Sequence, residues 1–357
     1  TIPSTSGKKY LIRATFTYRN YDGLRSSENG SLFLFGLHVG VNFWTTVNLT
    51  KQNSSDTIWK EVLTVAPDEF ISVCLVNFGS GTPFISALEL RQLDDPMYPF
   101  LNLSVSVSYF TRQRFGAVDD FITRWDEDSL FLFVSFIIPY CSRRCPVSIA
   151  SPFMLPWWYR YPTDLFDRFW EAAQLYSYPW LNLTTNQTVN KLPGNDNFQV
   201  STLILQKAST INSSFSWLNI SVRAGDNLNG QSLELLPIFH FAEIEKNRSK
   251  RTFQIYSDGV ELHQAFSPSY LQVDSVYPRD RYLHESGTTF TLRKTNSSEL
   301  PPLINAFEAY SLVRMENLTT DTIDGKPALH HGFQFLLSTT IKIEYLYSII
   351  SFMTLCY

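Results

Sequence analysis

The sequence predicts an all-β protein that contains two copies of one antiparallel β-sandwich. Two segments far apart in the chain, residues 83–89 (PFISALE) and 302–308 (PLINAFE), read almost the same. Aromatic residues make up 15% of the chain, and aromatic and β-branched side chains favour a pleated, half-buried surface. The 18 prolines interrupt any long helical pattern. We therefore expect tandem β-sandwiches with little helix.

The repeat continues upstream in the same order. Residues 10–16 (YLIRATF) and 235–241 (LLPIFHF) are both strand-like apolar runs. Residues 35–40 (FGLHVG) and 253–259 (FQIYSDG) each show an apolar alternation that runs into a glycine turn. The repeat is much longer than the unit of a solenoid protein, so the three ordered matches indicate two whole domains.

Composition and charge exclude several classes of function. A chain of 357 residues with 44% hydrophobic content can form two or three domains, each with its own core. The net charge of -4 provides no basic field for a phosphate backbone, so no nucleic-acid partner is expected. The six histidines are scattered, and we predict neither a metal nor a cofactor. Adjacent acids such as Asp119 and Asp120 would point to opposite faces of a strand, so no catalytic site is predicted.

Asparagine sequons indicate an extracellular compartment. Chance would place about four of the chain's asparagines in Asn-X-Ser/Thr, and the sequence has many more. A secreted glycoprotein is therefore predicted, and its ligand-binding face must avoid the glycans. The predicted N-glycosylation sites are Asn29, Asn48, Asn53, Asn102, Asn182, Asn186, Asn212, Asn219, Asn247, Asn296 and Asn317.

Cysteines are too sparse for a disulfide framework, so hydrophobic cores must hold the domains together. Cys74 lies in an alternating apolar run and is expected to be a small core residue. Cys141 and Cys145 could close a small disulfide loop or, with distant histidines, bind a metal. Cys356 lies near the end of the sequence. The polar residues 1–9 do not form a signal peptide, so we expect the sequence to begin within a longer protein.

Several segments together resemble the malectin-like ectodomain of plant leucine-rich-repeat receptor kinases. In the first half they are residues 20–23 (NYDG), 37–44 (LHVGVNFW), 79–86 (GSGTPFIS) and 160–170 (RYPTDLFDRFW). In the second half they are residues 240–244 (HFAEI) and 300–306 (LPPLINA). The resemblance implies tandem jelly-roll sandwiches on the extracellular side of the plasma membrane, or secreted.

The resemblance also implies parts that this sequence does not contain. Full-length members continue into leucine-rich repeats, a transmembrane helix and a cytoplasmic kinase. The sequence has no glycine-rich phosphate loop and no kinase catalytic-loop pattern, so we predict no enzymatic activity. Contact with a membrane is expected only through the missing transmembrane part.

The resemblance divides the chain into four regions. Two of them, residues 125–159 and 324–357, depart from the family pattern, and their apolar runs are too short to span a bilayer. We interpret both as translated non-coding sequence, or else as genuine insertions of which the first is a candidate interaction loop. The regions are a first domain lacking its N-terminal strands (1–94), a second domain (95–124 plus 160–323), an atypical insertion (125–159) and a hydrophobic tail (324–357).

Carbohydrate recognition is the predicted function, because jelly-roll lectins stack aromatic rings on sugars and bind hydroxyls with polar side chains. Tyr18, Tyr21, Asp22 and Trp44 are the predicted ligand-binding residues, although an aromatic residue within a strand, such as Trp44, is often part of the core. The malectin-like family takes its name from an animal lectin, and other sugar-binding residues of that lectin lack counterparts here. The alternative is a protein-interaction ectodomain that binds a secreted peptide or a co-receptor ectodomain without sugar.

Overall fold

The computed structural model shows one compact unit, Thr1–Thr319, and a C-terminal unit, Thr320–Tyr357, which lies outside the described residues. The predicted tail 324–357 and most of the predicted insertion 125–159 therefore receive no structural account. The residues that the structure describes are 1–18, 33–49, 57–116, 158–160, 164–173, 180–191, 196–223, 234–246, 249–278, 283–284 and 287–316.

Almost all regular structure is β, as the sequence predicts. The strands of the first lobe are β1 (Ile2–Pro3), β2 (Lys9–Thr17), β3 (Leu34–Val39), β4 (Asn42–Asn48), β5 (Thr57–Val65), β6 (Phe70–Ile71), β7 (Val73–Ser80) and β8 (Ala87–Gln92). Those of the second lobe are β9 (Val105–Arg114), β10 (Trp158–Arg160), β11 (Phe169–Ala172), β12 (Trp180–Thr184), β13 (Lys207–Ile211), β14 (Trp217–Arg223), β15 (Glu234–Phe241), β16 (Phe253–Ser257), β17 (Val260–Phe266), β18 (Asp274–Val276), β19 (Leu283–His284), β20 (Gly287–Lys294), β21 (Leu303–Ile304) and β22 (Ala306–Arg314). The described part of the second lobe also contains a short helix, α1 (Thr202–Leu205).

The sequence repeat is confirmed as a repeated topology. In the first lobe β2 lies between β5 and β8, and in the second lobe β15 lies between β18 and β22. In the facing sheets β3 lies between β4 and β7, and β16 lies between β17 and β20. The three pairs of similar segments therefore occupy equivalent positions in two tandem sandwiches.

Each lobe has its own hydrophobic core. Alternate residues of β3, including Phe35 and Leu37, are buried in the first lobe against Phe16 of β2. Phe239 and Phe253 occupy corresponding strands of the second lobe and are buried there. The alternation arises because successive side chains of a strand point to opposite faces of the sheet.

A continuous sheet joins the two lobes. Strand β5 of the first lobe pairs with β9 of the second, with Val62 opposite Ser108 and Leu63 opposite Val107. The resulting order is β18-β15-β22-β9-β5-β2-β8. In the second lobe β9 lies beside β22, and β14 lies beside β20. The equivalents of β22 and β20 in the first lobe are β8 and β7, and the described part of that lobe has no strand at the corresponding edge of either.

A row of alternating charges crosses this joint. Arg13, Glu61, Arg112 and Glu308 are all buried in it. We call the following side chains the charge row, with the distances between their nitrogen and oxygen atoms: Glu89 to Arg13 3.3 Å, Arg13 to Glu61 2.9 Å, Glu61 to Arg112 2.8 Å, Arg112 to Glu308 3.0 Å and Glu308 to His240 3.0 Å.

Residues 164–173 cover the charge row. The Arg13 guanidinium lies 3.8 Å from the centroid of the Phe169 ring and donates a 2.7 Å hydrogen bond to the carbonyl oxygen of Asp167. Arg112 donates to the carbonyl oxygen of Phe169 at 3.2 Å. Part of the family-like segment 160–170 therefore closes the joint between the lobes.

The pairing keeps both buried carboxylates ionised. Burial alone would raise the pKa of Glu61, but the guanidiniums of Arg112 and Arg13 outweigh burial and hold that pKa below its usual value. Burial opposes ionisation of Glu308 as well. The hydrogen bond from His240 and the charge of Arg112 nevertheless lower its pKa. The buried part of the charge row is thus a set of charges that compensate one another.

Candidate functional site

The outer face of the small sheet β4-β3-β7 carries a cluster of solvent-exposed apolar side chains. Because the other face of β3 packs on the core, His38 points outward, and its strand neighbour Phe43 is 53% exposed. On β7, Phe78 is 49% and Val76 is 40% exposed. We call His38, Phe43, Val76 and Phe78 the aromatic patch.

Gly36 sets the geometry of the aromatic patch. A Cβ atom at this position would lie 2.8 Å from Cζ of Phe78 and 3.2 Å from Nε2 of His38, so only glycine lets the Phe78 ring lie on the strand. The His38 and Phe43 rings meet edge to face with centroids 5.4 Å apart. The rings thus form one continuous surface, and contiguous exposed apolar surface marks binding sites.

The structure places two of the predicted ligand-binding residues in the core. Tyr18 is 6% exposed, and its ring packs on Phe33 with centroids 4.7 Å apart and on Phe84 at 6.1 Å. Trp44 is 4% exposed and its Nε1 donates a 3.1 Å hydrogen bond to Oγ of Ser108. Neither ring offers a face to a sugar, so their burial argues against the predicted role. Tyr21 and Asp22 lie outside the described residues.

Sequence reasoning did not identify the aromatic patch, because it selected Trp44 and not the adjacent Phe43. Trp44 and Phe43 are adjacent, and once Trp44 is a core residue Phe43 must face outward. A β-bulge at Leu37 and His38 shifts the register between β3 and β4, and a bulge is not visible in the apolar pattern. The alternation of side chains along β7 was a signal that Val76 and Phe78 lie on the same face of the strand.

The second lobe has a shallow groove on the outer face of β14 and β20. It has a volume of about 310 Å³ and is lined by Trp217, Asn219, Thr291 and Arg293. Trp217 is 46% exposed, and Oγ1 of Thr291 donates a 2.8 Å hydrogen bond to Oδ1 of Asn219. The groove combines an aromatic ring with a cation and polar groups.

The described sequons lie at or near the surface, and glycosylation stays a prediction. Cys74 is half-buried opposite His38. Cys141, Cys145, Cys356 and Asp119 lie outside the described residues. The exposed sequon asparagines are Asn102, Asn182, Asn186, Asn212 and Asn296, the half-buried ones are Asn48 and Asn219, and those outside the described residues are Asn29, Asn53, Asn247 and Asn317.

The described residues contain neither a metal-binding cluster nor a membrane-spanning helix. No group of three or more His, Cys, Asp or Glu side chains there is arranged to bind a metal ion. In the same residues, no helix has the length and apolar character needed to cross a membrane.

Comparison with protein families identifies the fold. The family model of the malectin-like domain matches residues 1–133 and 142–312. The chain belongs to the malectin-like family. The matched ranges include most of the block 125–159 that the sequence analysis set apart. The malectin-like match covers an ectodomain and includes no kinase.

Named relatives support the same assignment. The malectin-like chain is 33% identical over 325 residues to a "probable LRR receptor-like serine/threonine-protein kinase" of Arabidopsis thaliana, covering 89% of this chain and 32% of that protein. It is 30% identical to the LRR receptor-like kinase IOS1 of the same plant, covering 90% of this chain and 30% of that protein. The chain therefore spans about a third of the curated relatives it matches.

Solved structures show the same fold at low sequence identity. The plant receptor-like kinase FER matches with a TM-score of 0.59 and 14% identity, covering 86% of this chain and 78% of that one. A complex of the plant peptide RALF23 with FER and LLG2 matches with a TM-score of 0.57 and 13% identity, covering 87% of this chain and 80% of that one. The malectin-like fold is thus shared with receptor ectodomains.

Proposed function

We propose that this malectin-like chain is the extracellular recognition module of a receptor-kinase type protein. Its ligand is a secreted peptide or a co-receptor ectodomain, and the aromatic patch binds it. The observation that carries this proposal is the exposure of Phe43 and Phe78 beside His38 on the solvent face of the sheet β4-β3-β7. Aromatic side chains in such positions are typical anchors of protein interfaces.

The chemistry of the patch favours protein over sugar. A sugar site needs polar groups that converge on hydroxyls beside the aromatic ring. The patch instead offers aromatic and aliphatic surface with one imidazole, whose Nδ1 lies 3.3 Å from the carbonyl oxygen of Val41. Such a surface suits apolar side chains of a partner. Burial of Tyr18 and Trp44, two of the four predicted sugar-binding residues, also favours the protein-interaction alternative.

The structural neighbours support the same class of ligand. FER, which shares the fold, forms a complex with the peptide RALF23 and with LLG2. Low sequence identity prevents transfer of that particular ligand. What supports the proposal is that a protein with a related fold is found in a complex with a peptide and with LLG2.

The proposal is tested by biolayer interferometry on the secreted chain. The probes are a panel of secreted plant peptides and co-receptor ectodomains that includes RALF23 and LLG2, together with a panel of cell-wall oligosaccharides. We expect a protein probe to bind, and the double variant Phe43→Ala, Phe78→Ala to weaken it by at least about tenfold.

The control variant is Val260→Ala, because Val260 is an exposed apolar residue of the second lobe. It should bind like the unchanged chain, and all variants should unfold at similar temperatures because the altered side chains are exposed. Protein binding that is equal in the patch variant would contradict the proposed site. Binding of oligosaccharides alone would restore the carbohydrate prediction.

A further inference from the structure

One face of strand β14 presents an aromatic residue and a sequon together. Trp217, Asn219 and Ser221 alternate along the strand, so their side chains lie on its outer face. The residues between them, Leu218 and Ile220, are buried in the core. The sequon Asn219-Ile220-Ser221 thus lies within a regular strand, two residues after a tryptophan on the same face.

Strand β20 completes the groove. Arg293 pairs with Trp217, and Thr291 pairs with Asn219. Thr291 donates its hydrogen bond to Oδ1 of Asn219, and this bond fixes the orientation of the carboxamide. The bond does not involve Nδ2, the atom to which an N-glycan is joined. Arg293 is exposed and makes no ion pair within the part of the chain that the structure describes.

The groove has the right size and chemistry for the first sugar of a glycan. Residues two apart on a strand are about 6.6 Å apart, so a sugar on Asn219 reaches the indole of Trp217. The C–H face of N-acetylglucosamine is apolar and packs on the electron-rich face of an aromatic ring. Its N-acetyl carbonyl is an acceptor for Arg293. The volume of about 310 Å³ is at the small end of ligand sites.

We infer that Asn219 carries an N-glycan whose first N-acetylglucosamine is seated on the Trp217 ring between β14 and β20. The inference rests on the proposed extracellular function, because glycosylation requires export. It explains why a tryptophan is about half exposed beside a half-buried sequon. The groove is then occupied by the chain itself and is not open to a soluble ligand.

The chain offers an internal comparison. Residues 180–184 (WLNLT) of β12 repeat the pattern of residues 217–221 (WLNIS). Trp180, however, is half-buried and packs on Phe115 with ring centroids 6.1 Å apart. Its ring is engaged with the core, so the Asn182 sequon should lack an equivalent seat.

The experiment compares two mutant cycles in the full chain secreted from cells that add high-mannose glycans. One cycle uses Trp217→Ala, Asn219→Gln and the double variant, and the other uses Trp180→Ala, Asn182→Gln and their double. Mass spectrometry of peptides measures occupancy of each sequon, and calorimetry measures Tm. A Trp217→Tyr variant tests whether another aromatic ring retains the effect.

We expect occupied Asn219 and a Tm loss of about 2–4 °C for Trp217→Ala and for Asn219→Gln. The double variant should lose no more than the larger single change, because both remove one contact. Trimming the glycan to its first sugar, or the Trp217→Tyr change, should preserve most of the stability. In the Trp180 and Asn182 cycle the two losses should add.

Two results would overturn the inference. One is an unmodified Asn219 in a protein that carries glycans at exposed sequons such as Asn102 and Asn296. The other is additive Tm losses for Trp217→Ala and Asn219→Gln, which would mean that ring and glycan do not touch. A protein that is not secreted, or has no glycan at any sequon, would instead contradict the proposed extracellular function.

Discussion

Replacing Glu61 with glutamine should lower the free energy of unfolding by about 3–5 kcal/mol, the cost of removing one partner from a buried ion pair. Glu61 is buried and accepts hydrogen bonds from Arg13 at 2.9 Å and from Arg112 at 2.8 Å. Glutamine has nearly the same shape but no charge, and its NH₂ group would face a guanidinium donor. Two buried cations would then share less negative charge.

Urea unfolding and calorimetry measure this effect. At roughly 2 °C per kcal/mol for a chain of this size, Tm should fall by about 6–10 °C. The matched control is Glu89→Gln at the partly exposed end of the charge row, where solvent screening limits the cost to about 1 kcal/mol or less. Equal costs for Glu61→Gln and Glu89→Gln would refute the reasoning, because burial would then make no difference.

The effect should depend on pH with a definite sign. The pKa of Glu61 is lower in the folded protein than its ordinary value of 4.5, despite burial, because Arg112 and Arg13 favour the carboxylate. Its contribution to stability is therefore present above about pH 4.5 and is lost as pH falls through the folded pKa. The difference between Glu61→Gln and the unchanged chain should shrink in acid, and a constant difference would contradict this account.

The remaining predictions concern the core, the patch and the tyrosines. Trp44→Phe should destabilise the chain by about 1–3 kcal/mol in urea unfolding, since it removes the hydrogen bond to Ser108 and leaves a void, and it should not alter any oligosaccharide binding. Gly36→Ala should displace the Phe78 ring and weaken binding of the protein probe, at a cost of about 1 kcal/mol or less in urea unfolding. Burial raises the pKa of Tyr98 to about 12, so its contribution to stability is complete below pH 10 and is lost as pH rises through about 12. Tyrosinate absorbance should show that this side chain ionises only near pH 12 or when the chain unfolds.

The fold could be predicted because its signals are local or repeated. Alternation in residues 10–16 and 235–241 marks strands that are buried on one face, and their repetition fixes the tandem arrangement. The sequence of segment 160–170 shows the resemblance to the family, but it does not show that the segment covers the charge row. That role depends on Arg13 and Arg112, which are distant in sequence from the backbone that receives their hydrogen bonds.

The charge row and the sites could not be predicted for the same reason. Arg13 and Glu61 are 48 positions apart, and Arg112 and Glu308 are 196 apart, so sequence spacing gives no hint that they meet. A β-bulge decides which of Phe43 and Trp44 faces outward, and the apolar pattern does not reveal this bulge. The sequon at Asn219 was visible, whereas its groove needed the register of β14 against β20.

The joint between the lobes limits how a ligand could act. Bending at β5 and β9 would separate members of the charge row, such as Glu61 and Arg112, at about 3–5 kcal/mol for a buried pair. A ligand shifts a conformational equilibrium only by its difference in affinity for the two states. Opening the joint would therefore require a preference of roughly two to four orders of magnitude. The core face of the sheet β4-β3-β7 contacts this joint through the hydrogen bond from Trp44 to Ser108, whereas the aromatic patch lies on the opposite, solvent-exposed face. A partner that binds the patch, as proposed, would therefore meet a preformed surface and need no change in the angle between the lobes.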